Sequence, residues 1–265
     1  MTARKAAVLG SPVAHSRSPQ LHLAAYRALG LDDWTYERIE CTAAELPSLV
    51  KSLGPEWVGL SVTMPGKFAA LEVADERTER AVLVGSANTL VRTATGWRAD
   101  NTDTDGVAGA LGHRPVRRAI VLGSGGTAPA AVVALAGLGA AEITVVARNP
   151  EKAARLVGLG PALGVQITIR DFTDPALEQT VNDADVLVST IPAEVAAGYA
   201  PTFARVPVLL DAIYNPWPTP LAQAVSAGGG EVISGLQMLL NQAFSQVEQF
   251  TGRPAPRAQM AAALG

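Results

Sequence analysis

Short apolar runs alternate with longer amphipathic stretches along the chain. Runs rich in Val, Ile and Leu are typical of buried strands, whereas apolar residues at helical spacing are typical of helices that bury one face. The first strand-like runs are AAVLG (6–10), TYERIE (35–40) and WVGLSVT (57–63). The helix-like stretch SPQLHLAAYRALG (18–30) follows the first run, and Gly30 is expected to end it because glycine readily adopts a left-handed conformation.

A hairpin and a second series of strands come next. The segment TLVR-TATG-WRAD (89–100) predicts two antiparallel strands with Gly96 in their turn. Further strand-like runs then alternate with helices, the first of which are expected to start at Thr127 and Pro150. These runs are RAIVLG (118–123), EITVVAR (142–148), VQITIR (165–170), DVLVST (185–190), PVLLD (207–211) and EVISG (231–235). The alternation predicts an α/β protein with mainly parallel sheets.

The polar stretch ADNTDTDG (99–106) separates the two series and is the expected domain boundary. Residues 105–235 then form one α/β domain. The final segment, from LQMLLNQAFSQVEQFTG (236–252) onward, predicts a long amphipathic helix and a short one with no strand after them. We expect this segment to return to the first series, so that residues 1–104 and 236–265 form the other domain.

Composition narrows the class of protein. The chain has 265 residues, of which 48% are hydrophobic, and a net charge of −3, so it has no basic excess for nucleic acid or an anionic membrane. Its most apolar tract, APAAVVALAGLGAA (128–141), is too short to span a bilayer. No run near the start resembles a signal peptide, and Cys41 is the single cysteine. We therefore expect a cytoplasmic protein with a small-molecule partner.

The run RAIVLG leads into a glycine-rich turn and then a helix, which predicts a dinucleotide-binding unit. The turn consists of Gly123, Ser124, Gly125, Gly126, Thr127 and Ala128. Gly123 allows the sharp bend, Gly125 lets the backbone approach a diphosphate, and Ala128 permits close packing of helix on strand. The N–H groups at the helix start favour phosphate. An ordinary tight turn is the alternative, but the strand before and the helix after favour a Rossmann-type domain.

The end of the next strand favours NADP over NAD. An NAD site places Asp or Glu there to bind the ribose hydroxyls, but this strand ends VVARNPEK, with no acid before Glu151. Arg148 lies at the tip and Lys152 follows in the next helix. A guanidinium binds a 2′-phosphate through paired hydrogen bonds. Surface exposure of two basic residues is the alternative interpretation.

Lys67 and Asp103 are candidates for acid–base chemistry. GLSVTMPGKFAAL puts Lys67 in the first turn of a helix after a strand, and NTDTDG puts Asp103 and Asp105 at the start of another element. A Lys–Asp pair can exchange a proton with a hydroxyl during hydride transfer. Taken alone, a lysine in a first helical turn is more often a solvated surface residue, and such an aspartate is more often a turn or N-cap residue.

Ser16 and Ser18 in LGSPVAHSRSPQLH (9–22) have two compatible interpretations. Ser18 before Pro19 predicts a helix N-cap followed by the first helical residue. Two closely spaced hydroxyls also suit a small polar ligand. The histidines, His15, His22 and His113, show no metal-ligand spacing with Cys41, and no metal is expected.

Seven motifs in order resemble the shikimate dehydrogenase family over essentially the whole chain. They are GSPVAHSRSPQLH, SVTMPGK, GSANTL, DNTDTDG, GSGGTA, YNPWPTPL and GLQMLLNQ. The resemblance implies two α/β domains, an N-terminal substrate domain with a mainly parallel sheet and a Rossmann-type NADP-binding domain. It also implies reversible reduction of 3-dehydroshikimate to shikimate with NADPH, in aromatic amino-acid biosynthesis.

Site residues follow from the resemblance, motif by motif. Lys67 and Asp103 match the catalytic pair, and the proton can come from either member. The matching substrate residues are Ser16, Ser18, Thr63, Asn88, Tyr214 and Gln242. The matching coenzyme residues are the glycine turn (Gly123, Ser124, Gly125, Gly126, Thr127, Ala128), Arg148, Lys152, Thr190 and Gly235.

Some features depart from the family pattern. Ser61 and Ala147 stand where many members have Asn, and Gln237 stands where Gly is common. The latter two lie near the expected coenzyme, so strict NADP preference is left open. The alternatives are a quinate/shikimate dehydrogenase that uses NAD and a nucleotide-sensing relative without activity. Either a monomer or a homodimer is compatible with the sequence.

Overall fold

The computed structural model describes residues 3–265. Within that range the strands are β1 (Arg4–Gly10), β2 (Trp34–Glu40), β3 (Trp57–Val62), β4 (Glu76–Arg77), β5 (Thr89–Arg92), β6 (Trp97–Asp100), β7 (Arg118–Leu122), β8 (Glu142–Val146), β9 (Gln166–Arg170), β10 (Val186–Ser189), β11 (Val208–Asp211) and β12 (Glu231–Ser234).

The helices in the same range are α1 (Ser18–Ala28), α2 (Leu46–Ser52), α3 (Lys67–Val73), α4 (Glu79–Val84), α5 (Asp103–Leu111), α6 (Ala128–Gly137), α7 (Pro150–Val157), α8 (Gly160–Leu163), α9 (Leu177–Asp183), α10 (Ala193–Ala197), α11 (Ala200–Phe203), α12 (Pro220–Ala227), α13 (Gly235–Thr251) and α14 (Arg257–Ala262). None of them is both long and apolar enough to cross a membrane.

The chain divides into two compact units. Unit 1 extends to Asp103 and resumes with Leu239–Gly265, and unit 2 is Thr104–Met238. The sequence analysis predicted these divisions after residues 104 and 235, close to the positions that the structure shows. In unit 1, the ring of Phe250 on α13 lies against Gly59 of β3, where a Cβ atom would collide with it. The returning helix therefore packs directly on the first sheet.

Unit 1 is built on a mixed sheet with the strand order β2-β1-β3-β5-β6-β4. β1 is parallel to β2 and to β3, whereas β5 runs antiparallel to both β3 and β6. The predicted hairpin is thus confirmed, and the Thr93 amide donates to the Gly96 carbonyl at 2.8 Å across its turn. β4 was not predicted, because two exposed residues carry no periodic pattern.

Unit 2 is built on a parallel sheet with the order β12-β11-β10-β7-β8-β9. Every ladder in it is parallel. This is the doubly wound order of Rossmann-type folds, in which the chain reverses direction across the sheet between its first and fourth strands. Here those strands are β7 and β10. Ligands of such sheets bind beyond the carboxyl ends of the strands at this switch point. The expected fold class is confirmed.

One local prediction, the N-cap of α1, is wrong. Helix α1 begins at Ser18 itself, Arg17 occupies the N-cap position, and Pro19 is the second helical residue. The Ser16 hydroxyl instead accepts the Ser18 amide at 3.3 Å. Proline fits either of the first positions of a helix, so Pro19 alone did not fix where the helix starts. The Ser18 hydroxyl is therefore not used to cap α1.

Candidate active site and coenzyme site

Lys67 and Asp103 meet in unit 1. Lys67 is the first residue of α3, directly after the loop that follows β3, and Asp103 lies just beyond β6. The distance from Lys67 Nζ to Asp103 Oδ2 is 2.5 Å, and their side chains are 12% and 7% exposed. Separate segments thus bring an ammonium and a carboxylate into direct contact, and water is largely excluded from the pair. Low exposure strengthens their mutual attraction.

Asn88 holds the other oxygen of Asp103. Asn88 Oδ1 accepts a hydrogen bond from the Thr102 backbone amide at 2.7 Å. Because a backbone N–H can only donate, this bond fixes the orientation of the Asn88 carboxamide. The Asn88 NH2 group then faces Asp103 Oδ1 at 2.9 Å and Gln242 Oε1 at 3.2 Å. Both oxygens of Asp103 therefore have defined donors, one from Asn88 and one from Lys67.

Behind Asn88, a buried polar network continues through the centre of unit 1. Gln246 donates to the Asn88 carbonyl at 3.1 Å and to Thr89 Oγ1 at 2.9 Å, and Thr89 in turn donates to Asn88 Oδ1 at 2.8 Å. Gln246 Oε1 accepts from Ser61 at 2.6 Å, and Ser61 accepts from Tyr36 at 2.6 Å. Gln246 is 1% exposed, so each of these bonds is shielded from water.

His22 closes this network on the side of α1. Its Nε2 lies 3.3 Å from Gln246 Oε1, and since that oxygen can only accept, Nε2 carries the hydrogen. The ring stacks on Tyr36 at 4.1 Å between centroids. Burial lowers the pKa of His22 to about 3, partly offset by the Gln246 bond. Burial likewise raises the pKa of Tyr36, so both rings stay neutral at ordinary pH.

Ser16, Ser18 and Thr63 also lie in unit 1. Ser18 is buried, and its side chain hydrogen-bonds the Tyr36 hydroxyl, which connects it to the network. Ser16 is half-buried, and its carbonyl accepts two bonds from Arg38 at 2.9 and 2.6 Å. Thr63 follows β3, where its amide donates to the Leu9 carbonyl at 2.8 Å. The structure fixes their backbone positions, and their contact with a substrate stays a prediction.

Gln242 and Tyr214 lie in different units. Gln242 on α13 belongs to unit 1, where its Oε1 accepts from Asn88 and its Nε2 donates to the Leu239 carbonyl at 2.9 Å. Tyr214 lies in unit 2, half-buried in the loop between β11 and α12. Gln242 therefore joins the group around Asp103, whereas Tyr214 does not belong to that unit.

The glycine turn of unit 2 lies at the switch point of its sheet. It follows β7, and Thr190 follows β10, the neighbouring strand. Gly123 has a φ of +105°, and a Cβ atom there would stand 2.7 Å from Thr190 Oγ1 and from Ile191 Cγ2. Only glycine fits this bend without strain. A Cβ at Gly125 would meet no atom within 4 Å, so the space over the turn is open.

Arg148 and Lys152 share a cavity of about 200 Å³ with the first residues of this turn. The cavity is lined by Gly123, Ser124, Ala147, Arg148, Asn149, Lys152, Phe172, Ile191, Pro192 and Val195. Two cations beside an open glycine backbone form a donor set that suits phosphate groups, so the residues present fit a phosphorylated dinucleotide. The other predicted coenzyme residues are not among the lining residues: Gly125, Gly126, Thr127, Ala128, Thr190 and Gly235. Gly235 starts α13, where a Cβ would collide with the Ala212 carbonyl.

Several residues around the unit 2 cavity and around the lysine–aspartate pair were not predicted from the sequence. Phe172, Ile191, Pro192 and Val195 supply apolar walls to the cavity, and such residues look like ordinary core positions in a sequence. Gln246 was missed for the opposite reason, since a glutamine on an amphipathic helix resembles a solvated residue. The repeat Gln242 to Gln246, at helical spacing on the buried side of α13, was the available signal.

The geometry defines a class of protein. A doubly wound unit with a dinucleotide-type turn accompanies a unit that carries a shielded lysine–aspartate pair, and this combination is that of a pyridine-nucleotide-dependent dehydrogenase. Three family models match the chain. They are the shikimate dehydrogenase substrate-binding domain over residues 8–90, shikimate/quinate 5-dehydrogenase over residues 109–197, and the shikimate 5′-dehydrogenase C-terminal domain over residues 235–264.

Relatives along the full length agree with these matches. A curated shikimate dehydrogenase (NADP⁺) of Microcystis aeruginosa is 34% identical, with 97% of this chain and 94% of that protein covered. The crystal structure of Mycobacterium tuberculosis shikimate dehydrogenase is 74% identical, covers 98% of both chains and gives a TM-score of 0.95. The Thermus thermophilus enzyme in complex with NADP(H) and shikimate is 30% identical over 98% of both chains, with a TM-score of 0.83. The chain belongs to the shikimate dehydrogenase family.

Proposed function

We propose that this protein is an NADP-dependent shikimate dehydrogenase that reversibly reduces 3-dehydroshikimate to shikimate, in the biosynthesis of chorismate and aromatic amino acids. The observation that carries the proposal is the 2.5 Å contact between Lys67 Nζ and Asp103 Oδ2, with Asn88 holding the second carboxylate oxygen. Interconversion of a ketone and a secondary alcohol needs a group that both gives and takes one proton, and this pair supplies it.

The chain's own residues perform the proton transfer and hold the substrate. When bound, NADPH supplies the hydride that adds to the C3 carbonyl carbon. Lys67 and Asp103 together give the proton that the carbonyl oxygen takes up, and in the oxidation they take it back from the hydroxyl. Because Lys67 Nζ and Asp103 Oδ2 are in direct contact, either member of the pair can pass the proton to the carbonyl oxygen.

Apart from the catalytic pair, the residues proposed to bind the substrate have uncharged polar side chains. Shikimate carries one carboxylate and three hydroxyls, which match hydroxyl and carboxamide side chains that donate and accept. The proposed contacts are Ser16 and Ser18 for the carboxylate, with Thr63, Asn88, Tyr214 and Gln242 for the remaining polar groups. The network behind Asn88 keeps its carboxamide from rotating, which stabilises one arrangement of donors before the substrate arrives.

Coenzyme preference resides in unit 2. Arg148 and Lys152 would hold the 2′-phosphate, and the backbone of the turn from Gly123 to Ala128 would hold the diphosphate, with Thr190 and Gly235 close to the rest of the coenzyme. No carboxylate ends β8, where an NAD site would bind the ribose 2′-hydroxyl. The absence of that acid among the described residues supports NADP over NAD.

Compartment and assembly are part of the same proposal. Cys41 is buried and free of a disulfide, as expected for the cytoplasm. We place the enzyme there, acting on a small molecule as a monomer or a homodimer and without nucleic acid or membrane partners.

The test is coenzyme reduction followed at the NADPH absorbance band. Purified protein should reduce NADP⁺ in the presence of shikimate much faster than with quinate, and much faster than it reduces NAD⁺ with either acid. Equal or faster turnover of quinate with NAD⁺ would instead identify the quinate/shikimate enzyme. Tight NADP⁺ binding without turnover of either acid would identify a nucleotide-sensing relative.

A further inference from the structure

Arg155 lies three residues beyond Lys152 on α7 and reaches the glycine turn 30 residues earlier in the chain. One nitrogen of its guanidinium, Nη2, lies 2.7 Å from the Ser124 carbonyl and 3.2 Å from the Gly125 carbonyl. Both carbonyls therefore accept from a single cationic donor. None of the motifs that resemble the family includes this arginine, and it is not among the residues that line the cavity around Arg148.

We propose that Arg155 is a positioning residue that holds the glycine turn in its diphosphate-binding conformation. The inference rests on the coenzyme site of the proposed function and assigns that site a residue outside its direct contacts.

The planarity of the peptide bond links each carbonyl of the turn to the N–H group that follows it. In a trans peptide the C=O and the N–H of the next residue point in opposite directions. The Ser124 carbonyl points toward Arg155, so the Gly125 N–H points away from it, and the Gly125 carbonyl fixes the Gly126 N–H in the same way. Arg155 therefore sets the direction of two backbone donors without occupying the space that they face.

Glycine makes this restraint important. Gly125 and Gly126 have no Cβ to limit their backbone angles, and Gly125 meets no neighbouring atom where a Cβ would stand. A turn of this kind loses much conformational entropy when it binds a ligand, unless another group already orders it. The Arg155 guanidinium is such a group, because it donates a charge-assisted hydrogen bond to each carbonyl. Its loss should weaken binding rather than slow the chemical step.

Arg155 also joins two parts of the proposed coenzyme site. It lies on the same helix as Lys152, which is assigned to the 2′-phosphate, and it contacts the turn assigned to the diphosphate. The two assignments predict different responses to fragments of the coenzyme. ADP contains the diphosphate without a 2′-phosphate, and 2′-AMP contains the 2′-phosphate without a diphosphate.

The experiment measures dissociation constants by titration calorimetry for NADP⁺, ADP and 2′-AMP, together with steady-state kinetics. Arg155→Met should weaken NADP⁺ and ADP about tenfold, the cost of about one charged hydrogen bond, and leave 2′-AMP within about twofold of wild type. The KM for NADP⁺ should rise with kcat unchanged. Arg155→Lys should recover part of the loss, because it keeps the charge and a donor but not the guanidinium geometry.

Two matched variants serve as controls. Arg148→Met should show the reverse pattern, weakening NADP⁺ and 2′-AMP but not ADP. Arg205→Met removes an equal charge from an exposed position of unit 2 beside Pro201 and Thr202, and should change the affinity for none of the three ligands.

Unchanged ADP affinity in Arg155→Met would overturn the inference. A loss confined to 2′-AMP and NADP⁺ would also overturn it, in favour of direct contact with the 2′-phosphate. An equal loss for all three ligands, accompanied by a lower Tm, would overturn it in favour of a general structural role. Failure of the proposed function gives a different result: the wild type would bind ADP and NADP⁺ but would not oxidise shikimate.

Discussion

Two buried carboxamides, Asn88 and Gln246, have their orientations dictated by partners that can act in only one way. The Thr102 backbone amide can only donate, and it bonds the Asn88 side-chain oxygen. The Asn88 backbone carbonyl can only accept, and it bonds the Gln246 NH2 group. The Asn88 NH2 group consequently faces Asp103, and the Gln246 oxygen consequently faces Ser61 and His22. A flipped carboxamide at either position would place like groups together, so the acid–base pair has one arrangement of hydrogen bonds.

Gln246 therefore contributes to stability, although it is linked to Asp103 only through Asn88. Gln246→Met should lower the free energy of unfolding by roughly 1–3 kcal/mol, because Ser61 and Thr89 lose buried partners. Urea unfolding monitored by circular dichroism measures the change. Gln223→Met, at an exposed position of α12, should alter stability by less than about 0.5 kcal/mol. Equal effects of the two substitutions would contradict the importance of the network.

At this scale the sequence predicted the acid–base pair but not what surrounds it. Lys67 and Asp103 are ionisable residues at element boundaries, and the motifs that resemble the family identified them as a pair. The contact between Gln246 and Asn88 joins residues 158 positions apart. It depends on α13 lying across the first sheet, which local periodicity does not specify. A polar residue inside a core is visible only once the packing is known.

The strand–turn–helix segment formed by β7, the glycine turn and α6 has closely constrained backbone positions. Gly123 adopts a positive φ and faces Thr190 and Ile191 at close range, whereas Gly137 at the end of α6 faces open space. The backbone at Gly123 therefore requires glycine, whereas Gly137 in the same segment has room for a side chain.

The substitution of each glycine by alanine tests this difference. Gly123→Ala should destabilise the protein by roughly 1–3 kcal/mol and weaken NADP⁺ binding, because a Cβ requires both a strained φ and displacement of Thr190. Gly137→Ala should be neutral or stabilise by up to about 1 kcal/mol, since alanine has less freedom in the unfolded chain. Thermal unfolding and calorimetric titration with NADP⁺ measure both effects. Similar losses for the two variants would refute the assigned strain.

Elements with strong local signals agree with the sequence. The hairpin of β5 and β6 and the left-handed Gly30, with a φ of +66° after α1, depend on turn residues and appear as predicted. The N-cap of α1 was misplaced, since serine is acceptable at several positions of a first turn, and here Ser18 donates its own amide to the Ser16 hydroxyl instead of capping the helix. Local chemistry therefore fixes the type of an element better than its first residue.

In the molecule as a whole, each unit has its own sheet and its own core, and unit 1 differs in burying a histidine. His22 is fully buried and stays neutral, with a pKa lowered to about 3 from 6.5. Within the described residues its Nδ1 has no hydrogen-bond partner, so a proton there would be buried without compensation.

This histidine makes the protein sensitive to acid. Because the folded pKa is below that of the unfolded chain, the unfolded state binds more protons below pH 6.5, and stability falls as the pH drops from 6.5 toward 3. The slope contributed by His22 is at most about 1.4 kcal/mol per pH unit. His22→Phe, which keeps a ring between Tyr36 and Phe250, should flatten the dependence measured by urea unfolding across this range.

His15→Phe provides the control, since His15 is exposed and its substitution should leave the pH dependence of wild type intact. Parallel curves for His22→Phe and wild type would show that His22 is not the buried neutral group described here.

Fold class was predictable at the largest scale, because six strand-like runs alternating with helices favour a parallel sheet. The strand order β12-β11-β10-β7-β8-β9 was not, and it decides that the turn after β7 and Thr190 after β10 are neighbours. The contact of Arg155 with the turn likewise depends on where α7 packs in the assembled unit, which is against β9. Order and packing are properties of the assembled sheet, so they needed the structure.

Whether Lys67 and Asp103 act as one acid–base unit is measured most directly by kcat for Lys67→Ala, Asp103→Asn and the double variant, with shikimate and NADP⁺ at saturation. Each single substitution should lower kcat by at least about 10²-fold with a modest change in KM, and the double variant should be no slower than the worse single. Lys51→Ala, at an exposed position of α2, should match wild type. An unchanged kcat for Lys67→Ala, or losses that multiply in the double variant, would contradict a lysine and an aspartate acting as one acid–base unit.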